Sequence, residues 1–357
     1  MISQVEPNIS NEDVQNVTEY MESGSWITEH KVTEKLEENV ASYVNRKYSV
    51  AVPNGTIAIY LGLLASGIKE GHKVAVPNIT MIATINAIIW AGAQPVIIDT
   101  DNSLCMSVES LNSVSDIDAV IFVPLNGRTG SGIKIQDYCK KNNILLIEDS
   151  AHALGSSYTN QKCGTLGNIS IFSFTPHKII TMGQGGMVLL DDDNVYQNLI
   201  DLKTFNREKD KSDIHKGFGL NFKITDLQST LGLSQFATLD KRIKDKRRIH
   251  KLFSALNSQY FKIGSFKDFE LPWFIDVFAK TKKDLKNIQD LLLKNNIETR
   301  SGYPALSKQK YLKKVLKTDL SYSEKLHEKI LWLPSSPDLS KDSIERVLKL
   351  LENYSDK

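Results

Sequence analysis

The sequence has little cysteine. Its three cysteines, Cys105, Cys139 and Cys163, are odd in number and far apart along the chain. This spacing favours neither a disulfide framework nor a zinc site, so we expect a reducing compartment and no bound metal.

Long apolar runs are also missing. The most apolar stretch, residues 79–98, is interrupted by asparagine, glycine, glutamine and proline, so it predicts a helix followed by a strand rather than a membrane span. The first residues lack the basic and then apolar pattern of a signal peptide. We therefore expect a cytoplasmic protein that does not associate with a membrane.

Neither sign of charge dominates. The 44 Lys and Arg residues nearly balance the 42 Asp and Glu residues, and the formal net charge is +2, which leaves no strong field to attract nucleic acid. The densest basic cluster, residues 241–248, also contains Ile243 and Asp245. That pattern favours a solvated amphipathic helix over a nucleic-acid patch. The four tryptophans are scattered, so no stacking platform for bases is indicated.

Short β-branched runs alternate with helical stretches between residues 48 and 190. The candidate strands are residues 49–52, 73–76, 95–98, 119–123, 144–147, 169–172 and 186–190. Several are apolar on both faces and are separated by crossover-length segments, which predicts an α/β fold with a mainly parallel seven-stranded sheet flanked by helices.

The chain changes character after residue 240, where lysine-rich helical patterns begin. Since 357 residues favour two domains over one, we predict a large domain over residues 1–240, including an N-terminal arm, and a smaller α+β domain over residues 241–357.

Ligands of parallel sheets bind beyond the carboxyl ends of the strands, and the first candidate strand ends in Asn54-Gly55-Thr56. Gly55 permits close backbone approach and Thr56 opens a helix, so free N–H groups and a hydroxyl would face an anion such as phosphate. Standing alone, the same residues are more often a turn with a helix cap.

A second strand ends in the carboxylates Glu148 and Asp149. Asp149 could pair with a protonated pyridine nitrogen and keep that ring cationic. A cap on the following helix is the alternative reading.

A third motif places Lys178 in a Gly/Pro-rich turn between two apolar strands, five residues after Ser173. Partial withdrawal from water lowers the pKa of a lysine and favours the neutral amine that Schiff-base chemistry needs. Ser173 can donate to phosphate. An isolated lysine, by contrast, is usually a solvated surface charge.

A fourth motif joins Thr225 and Gln228 in the pattern of a capping box at the start of a helix. Asn221 and Lys223 precede it without an evident structural task and could reach a phosphate.

Taken in order, these motifs resemble those of the DegT/DnrJ/EryC1/StrS family of pyridoxal-phosphate (PLP) dependent sugar aminotransferases, which have the aspartate aminotransferase fold, type I. The resemblance spans nearly the whole chain. The residues that carry it are Ser25 to Thr28, Asn54 to Thr56, Pro77 to Thr80, Glu148 to Ala153, Ser173 with Lys178, Gly183 to Gly186, Asn221 to Gln228, and Ile297 to Arg300.

The resemblance implies PLP as the cofactor and assigns roles to residues. Lys178 would form the Schiff base with PLP and move the proton between the substrate carbon and C4′, and Asp149 would pair with the pyridine nitrogen. The other implied cofactor contacts are Asn54, Gly55, Thr56, Met81, His152 and Ser173, with Asn221 and Lys223 supplied by a neighbouring subunit. The implied substrate contacts are Trp26, Thr28, His177, Arg300 and Tyr303. A homodimer with shared active sites follows from these assignments.

The implied reaction is a ping-pong transamination. L-Glutamate would donate the amino group to a nucleotide-linked 4-keto-6-deoxyhexose, and likeness to the perosamine-forming members favours the GDP-linked sugar. The implied pathway builds an O-antigen or a similar surface glycan. Related sugar dehydratases carry histidine at the lysine position, so Lys178 favours transamination over dehydration. A non-catalytic protein that binds PLP or a sugar nucleotide is a further alternative.

Some positions depart from the family pattern. Met81 stands where an aromatic residue usually stacks on the pyridine ring, Gln184 replaces a glutamate, and Lys223 replaces an arginine. Most departures lie toward the substrate, so they affect the identity of the sugar more than that of the cofactor.

Overall fold

The computed structural model describes residues 1–208 and 213–354. Its strands are β1 (Tyr48–Val52), β2 (Lys73–Pro77), β3 (Gln94–Ile98), β4 (Ala119–Phe122), β5 (Leu145–Asp149), β6 (Ser157–Tyr158), β7 (Gln161–Lys162), β8 (Ile169–Ser173), β9 (Gly186–Leu190), β10 (Phe261–Ile263), β11 (Ile275–Ala279), β12 (Arg300–Ser301), β13 (Leu316–Lys317) and β14 (Ile330–Leu333).

Helices cover much of the remaining described chain. They are α1 (Asn11–Glu22), α2 (Lys31–Val44), α3 (Gly55–Ala65), α4 (Ile82–Trp90), α5 (Val108–Leu111), α6 (Gly132–Asn142), α7 (Asp193–Lys203), α8 (Asp226–Ala237), α9 (Leu239–Phe253), α10 (Lys282–Lys294), α11 (Ser321–Leu326) and α12 (Lys341–Glu352). Short 3₁₀ turns occur at Leu125–Gly127, Leu306–Lys308, Lys310–Leu312 and His327–Lys329. Judged by length and apolar content, none of the helices in the described ranges could cross a membrane.

The large sheet has the strand order β1-β9-β8-β5-β4-β2-β3-β13. Neighbouring strands are parallel except at β9, which is antiparallel to both β1 and β8. All seven predicted strands are present, and the predicted α/β fold class is confirmed. The sequence did not predict the eighth strand, β13, whose two exposed residues pair with Val96 and Ile97 of β3.

Helices cover this sheet because its strands are apolar on both faces. The helix α3 is buried almost all round and packs against β8 and β9, as expected for a helix that is hydrophobic on every side. Buried apolar side chains of the strands and the helices form two core clusters beside the sheet. One cluster includes Ile59 and Ile147, and the other includes Phe122 and Leu146. The carboxyl ends of β1, β2, β4, β5 and β8 meet at one edge, because these strands run in one direction.

A second, antiparallel sheet with the order β10-β11-β14-β12 lies in the C-terminal part and has its own core, centred on residues such as Val277 and Leu331. Ile2 forms a parallel bridge with Ile297, so the N-terminal arm packs on this part of the chain. Leu306 and Leu320 return to the core of the large sheet. The domain division at residue 240 stays a prediction.

The predicted amphipathic helix at residues 241–248 is present as part of α9. Its basic residues are not all solvated, however, since Arg242 and Lys246 are buried. Lys246 Nζ donates to the backbone oxygens of Trp273 and Ser335, which compensates the burial of its charge.

Candidate active site

A cavity of about 420 Å³ lies at the edge where the parallel strands end. Most of the residues predicted to touch cofactor or substrate line it, namely Asn54, Gly55, Thr56, Met81, Asp149, His152, Ser173, His177, Lys178, Arg300 and Tyr303. These residues come from the ends of β1, β5 and β8, the segment after β2, and the C-terminal part of the chain. The fold therefore brings together groups that are up to about 250 residues apart in the sequence.

One end of the cavity has the features of an anion site. Asn54 caps α3, and its side-chain oxygen accepts a 3.0 Å hydrogen bond from the N–H of Ile57. The helix thus begins at Gly55, one residue earlier than the sequence predicted. A Cβ atom at Gly55 would lie 3.0 Å from the Cβ of Ser173, so glycine lets the helix terminus and the serine approach each other. Free N–H groups, the positive end of the helix dipole and the Ser173 hydroxyl suit a phosphate.

Asp149 is the last residue of β5 and is almost fully buried. Its Oδ2 accepts a 2.8 Å hydrogen bond from the Thr84 hydroxyl, and its Oδ1 accepts a 3.3 Å bond from the N–H of Ala151. Burial raises the pKa of the carboxyl, while these hydrogen bonds and the charge of Lys178 oppose that rise. A cationic ring nitrogen beside Asp149 would hold it in the charged form.

Lys178 enters the same cavity from the turn after β8. Burial of the amine lowers its pKa to about 7; the charge of Asp149 opposes this shift and that of Arg300 reinforces it. Near neutral pH a large share of Lys178 is therefore the neutral amine, which is the nucleophilic form.

Aromatic side chains form a further wall of the cavity. The His152 ring stacks on Trp273, with centroids 3.9 Å apart and planes inclined by 22°. Tyr303 places its hydroxyl 3.4 Å from His152 Nε2. Burial, together with the charges of Lys178 and Arg300, lowers the pKa of His152 well below its ordinary value. Burial also raises the pKa of Tyr303, so the imidazole is neutral and the phenol keeps its proton.

Met81 and His177 lie at the mouth of the cavity. Met81 caps α4, where its sulfur accepts a 3.0 Å hydrogen bond from the N–H of Ala83, and its side chain stays 42% exposed. His177 is also largely exposed, and partial withdrawal of its ring from water, together with the charges of Arg300 and Lys178, lowers its pKa.

Four of the predicted site residues do not line the cavity. Trp26, Thr28, Asn221 and Lys223 are all exposed. Thr28 and Lys223 lie in adjoining segments, because Thr28 forms a β-bridge with Thr225, two residues after Lys223. The roles of all four stay predictions, and those of Asn221 and Lys223 depend on a second subunit.

Several residues at the site were missed by sequence reasoning, and three of them bear on its chemistry or shape. Thr84 holds Asp149, Thr175 lines the cavity, and Trp273 packs against both His152 and Lys178. The only local signal for Thr84 is a hydroxyl within a mostly apolar helix. Trp273 gives no local signal, because its partners are remote in the sequence.

Comparison with known proteins decides the family. The sequence model of the DegT/DnrJ/EryC1/StrS aminotransferase family matches residues 7–352. The chain belongs to this family. A relative, GDP-perosamine synthase of Escherichia coli O157:H7, is 33% identical over an alignment of 365 positions that covers 99% of this chain and 98% of that protein.

Solved structures share this fold. A Helicobacter pylori aminotransferase involved in the biosynthesis of pseudoaminic acid superposes with a TM-score of 0.89 at 23% identity, covering 98% of this chain and 97% of that one. The Escherichia coli GDP-4-keto-6-deoxy-D-mannose-3-dehydratase, solved with bound hydrated PLP, also has a TM-score of 0.89, at 19% identity and with 98% and 99% coverage. At these identities the two structures establish the fold alone.

The protein is a PLP-dependent aminotransferase of this family, as the sequence predicted. Its cavity fits PLP, because an anion site, a carboxylate and a lysine of lowered pKa line one space. The buried Nδ1 of His152 has no hydrogen-bond partner among the described residues, and a polar group bound beside the imidazole can satisfy it. When bound, PLP supplies an electron-accepting ring that makes the substrate's C–H proton removable.

Proposed function

We propose that this aminotransferase transfers the amino group of L-glutamate to the keto carbon of a GDP-linked 4-keto-6-deoxyhexose. Its place would be in the assembly of an O-antigen or a similar surface glycan. Nucleotide-sugar chemistry is supported by the similarity to GDP-perosamine synthase along almost the entire chain. The three free, buried cysteines are consistent with work in the cytoplasm.

One observation supports the proposed reaction type: the amine of Lys178, with its lowered pKa, lies in the same cavity as Asp149. Fold similarity cannot separate transamination from dehydration, since an aminotransferase and a dehydratase superpose equally well. A lysine at this position can accept and return a proton between carbon atoms. We infer transamination from that lysine.

The residues of the cavity divide the work. Gly55, Thr56 and Ser173 would hold the cofactor's phosphate, and Asp149 would keep its ring nitrogen protonated. Lys178 Nζ would carry the proton between the donor's α-carbon and the cofactor. The charge of Arg300, at the rim of the cavity, suits the carboxylate or phosphate groups of the two substrates.

We also propose a homodimer in which Asn221 and Lys223 complete the site of the partner subunit. Both residues are exposed and lie outside the cavity of their own chain. Exposed apolar side chains occur in the same region, including Trp26, Ile27 and Phe218. A cluster of this kind marks a surface that is suited to association.

The reaction can be tested with the purified, cofactor-loaded protein. L-Glutamate alone should bleach the cofactor's visible absorption, and a GDP-linked 4-keto-6-deoxymannose should then restore it. Mass spectrometry should find that the product has gained an amino group. dTDP- and UDP-linked keto sugars serve as matched acceptors with the other nucleotides.

The outcomes separate the alternatives. Recovery with a different nucleotide alone would overturn the proposed acceptor but not the reaction. Loss of a hydroxyl without gain of nitrogen would identify a dehydratase. Colour that glutamate does not bleach, with no product from any acceptor, would support the non-catalytic alternative.

Subunit mixing tests the shared site. Lys178→Ala and the double variant Asn221→Ala/Lys223→Ala should each be inactive. After equal mixing and exchange of subunits, shared sites predict recovery of about a quarter of the wild-type rate, because half of the dimers then contain one intact site of two. No recovery, with exchange verified, would rule out the sharing.

A further inference from the structure

Trp273 connects the lysine turn to the aromatic wall of the cavity. It lies just before β11 and is 6% exposed. Its indole Nε1 donates a 2.7 Å hydrogen bond to the backbone oxygen of His177. The centroid of its ring lies 4.1 Å from Lys178 Nζ and 3.9 Å from the centroid of His152. One side chain thus contacts the backbone beside the lysine, the amine itself and the neighbouring imidazole.

We propose that Trp273 is a positioning residue that holds the amine of Lys178 within the cavity whenever this amine is not bonded to the cofactor. The inference rests on the proposed function, because transamination leaves Lys178 free during half of each cycle. Freed from the cofactor, a lysine has four rotatable bonds and can take its amine away from the reacting carbon. The face of an indole ring attracts an ammonium group strongly in a site shielded from water. Restricting the amine in this way keeps it close to the carbon whose proton it must move.

Trp273 can act as a fixed support because its own position is determined from several sides. Its backbone oxygen accepts a 2.6 Å hydrogen bond from Lys246, the buried lysine of α9. Its backbone N–H donates to the oxygen of Asn126 at 3.3 Å, and its ring stacks on Phe274 with centroids 3.8 Å apart. Hydrogen bonds to two other parts of the fold therefore fix the backbone of Trp273, while stacking on Phe274 and the Nε1 hydrogen bond to His177 hold its ring.

The test measures the free lysine directly and needs no substrate. In protein loaded with pyridoxamine 5′-phosphate, the Lys178 amine is not bonded to the cofactor. Brief labelling with acetic anhydride at a series of pH values, quantified on the Lys178 peptide by mass spectrometry, gives the pH at which this amine is half protonated, its titration midpoint. Trp273→Leu keeps an apolar side chain but removes the ring, so the ammonium form loses its support. The midpoint should fall by about half a unit to one unit.

Two matched variants separate positioning from packing. Phe253→Leu removes a fully buried aromatic ring from the core of the antiparallel sheet, a core cluster that does not include Trp273, and it should leave the midpoint unchanged. Trp273→Phe keeps an aromatic face and should stay near the wild-type midpoint. Where the leucine variant does not fold, a tetrafluorinated tryptophan inserted at position 273 keeps the shape and the N–H but weakens the attraction of the ring, and it should lower the midpoint as well.

A kinetic measurement tests the consequence for the reaction. In single turnovers with L-glutamate, Trp273→Leu should slow the amino-transfer step about tenfold, with little change in glutamate affinity. It should also increase the isotope effect of α-deuterated glutamate, because proton movement by Lys178 becomes more rate-limiting. An unchanged or raised midpoint in Trp273→Leu, or an equal fall in Phe253→Leu, would overturn the proposal. The midpoint does not depend on the sugar, so failure of the proposed acceptor would leave this result intact.

Discussion

The hydroxyl of Thr84 on α4 donates a 2.8 Å hydrogen bond to Oδ2 of Asp149 on β5. Both residues are buried. Because this bond occupies one carboxylate oxygen, it fixes the plane of the carboxyl group. The other oxygen has only a long bond from Ala151, at 3.3 Å, and stays available to a ring nitrogen.

This relationship predicts a graded pair of variants. Asp149→Asn should keep the cofactor bound but lower the rate of amino transfer about 100-fold or more, because the ring nitrogen loses its charged partner. Thr84→Val should lower the rate about tenfold, since it removes one hydrogen bond to a charged group. If Thr84 acts through Asp149, adding Thr84→Val to Asp149→Asn should have little further effect in the same steady-state assay. Additive losses would show that the threonine acts on something else.

Lys178→Ala should abolish turnover, with a loss of at least about 1,000-fold. The phosphate contacts remain, so the variant should still bind the cofactor, but without a covalent link. Treatment with borohydride followed by denaturation should leave the cofactor attached to the wild type and release it from the variant. Lys178→Arg keeps the positive charge and should fail in the same way. Cofactor that remains attached to the alanine variant would point to a different lysine.

The capture of PLP by the cofactor-free protein should depend on pH through Lys178. Since its pKa is lowered to about 7, the rate constant should rise about tenfold per unit below pH 7 and level off above it, as the nucleophilic neutral form becomes dominant. Stopped-flow absorbance at a fixed PLP concentration measures this profile.

Two variants should move the pH midpoint of capture in opposite directions. Asp149→Asn removes a charge that raises the pKa of Lys178, so the midpoint should fall. Arg300→Met removes a charge that lowers this pKa, so the midpoint should rise. A profile that responds to neither variant would contradict the electrostatic account.

Stability should depend on pH through a second group, the half-buried Glu37. Burial raises its pKa from 4.5 to about 7, although Lys203 and a hydrogen bond from the Ala51 N–H oppose this shift. The folded state therefore holds this proton more tightly than the unfolded state, and the resulting stabilisation is lost as the pH rises from 4.5 to about 7.

Glu37→Gln removes this titration. The variant should gain roughly 2 kcal/mol of unfolding free energy relative to wild type as the pH increases over that range. Urea unfolding of both proteins at several pH values measures the difference. The exposed neighbour provides the control, because Glu38→Gln should leave the pH dependence as it is in the wild type. A constant difference between Glu37→Gln and wild type would mean that Glu37 does not titrate in this range.

Much of the site could be predicted because the chemistry of an α/β protein lies at strand ends. Asp149 and Ser173 are the final residues of β5 and β8, and apolar runs identify those strands locally. Lys178 follows in the next turn. The strand β13 could not be found in this way, because two exposed residues carry no periodic pattern and owe their pairing to the neighbouring β3.

Long-range contacts account for what the sequence did not reveal. Trp273 and Trp332 are separated by many residues and look scattered in the sequence, yet their rings lie 6.1 Å apart in one aromatic cluster. Lys246 occurs in a run of basic residues that predicts a solvated face, yet it is buried against the backbone of Trp273. A local sequence pattern cannot reveal these contacts, since the contacting residues come from other elements of the fold.

The sequence by itself determined where the strands of the large sheet lie along the chain, apart from β13, and which reactive groups follow them. Helix and strand periodicity and turn chemistry are local properties, so a sequence shows them directly. Only the tertiary structure decided how far burial lowers the pKa of Lys178, which threonine orients Asp149 and which indole supports the lysine. Those features depend on the distance between side chains and on the exclusion of water, and packing of remote segments sets both.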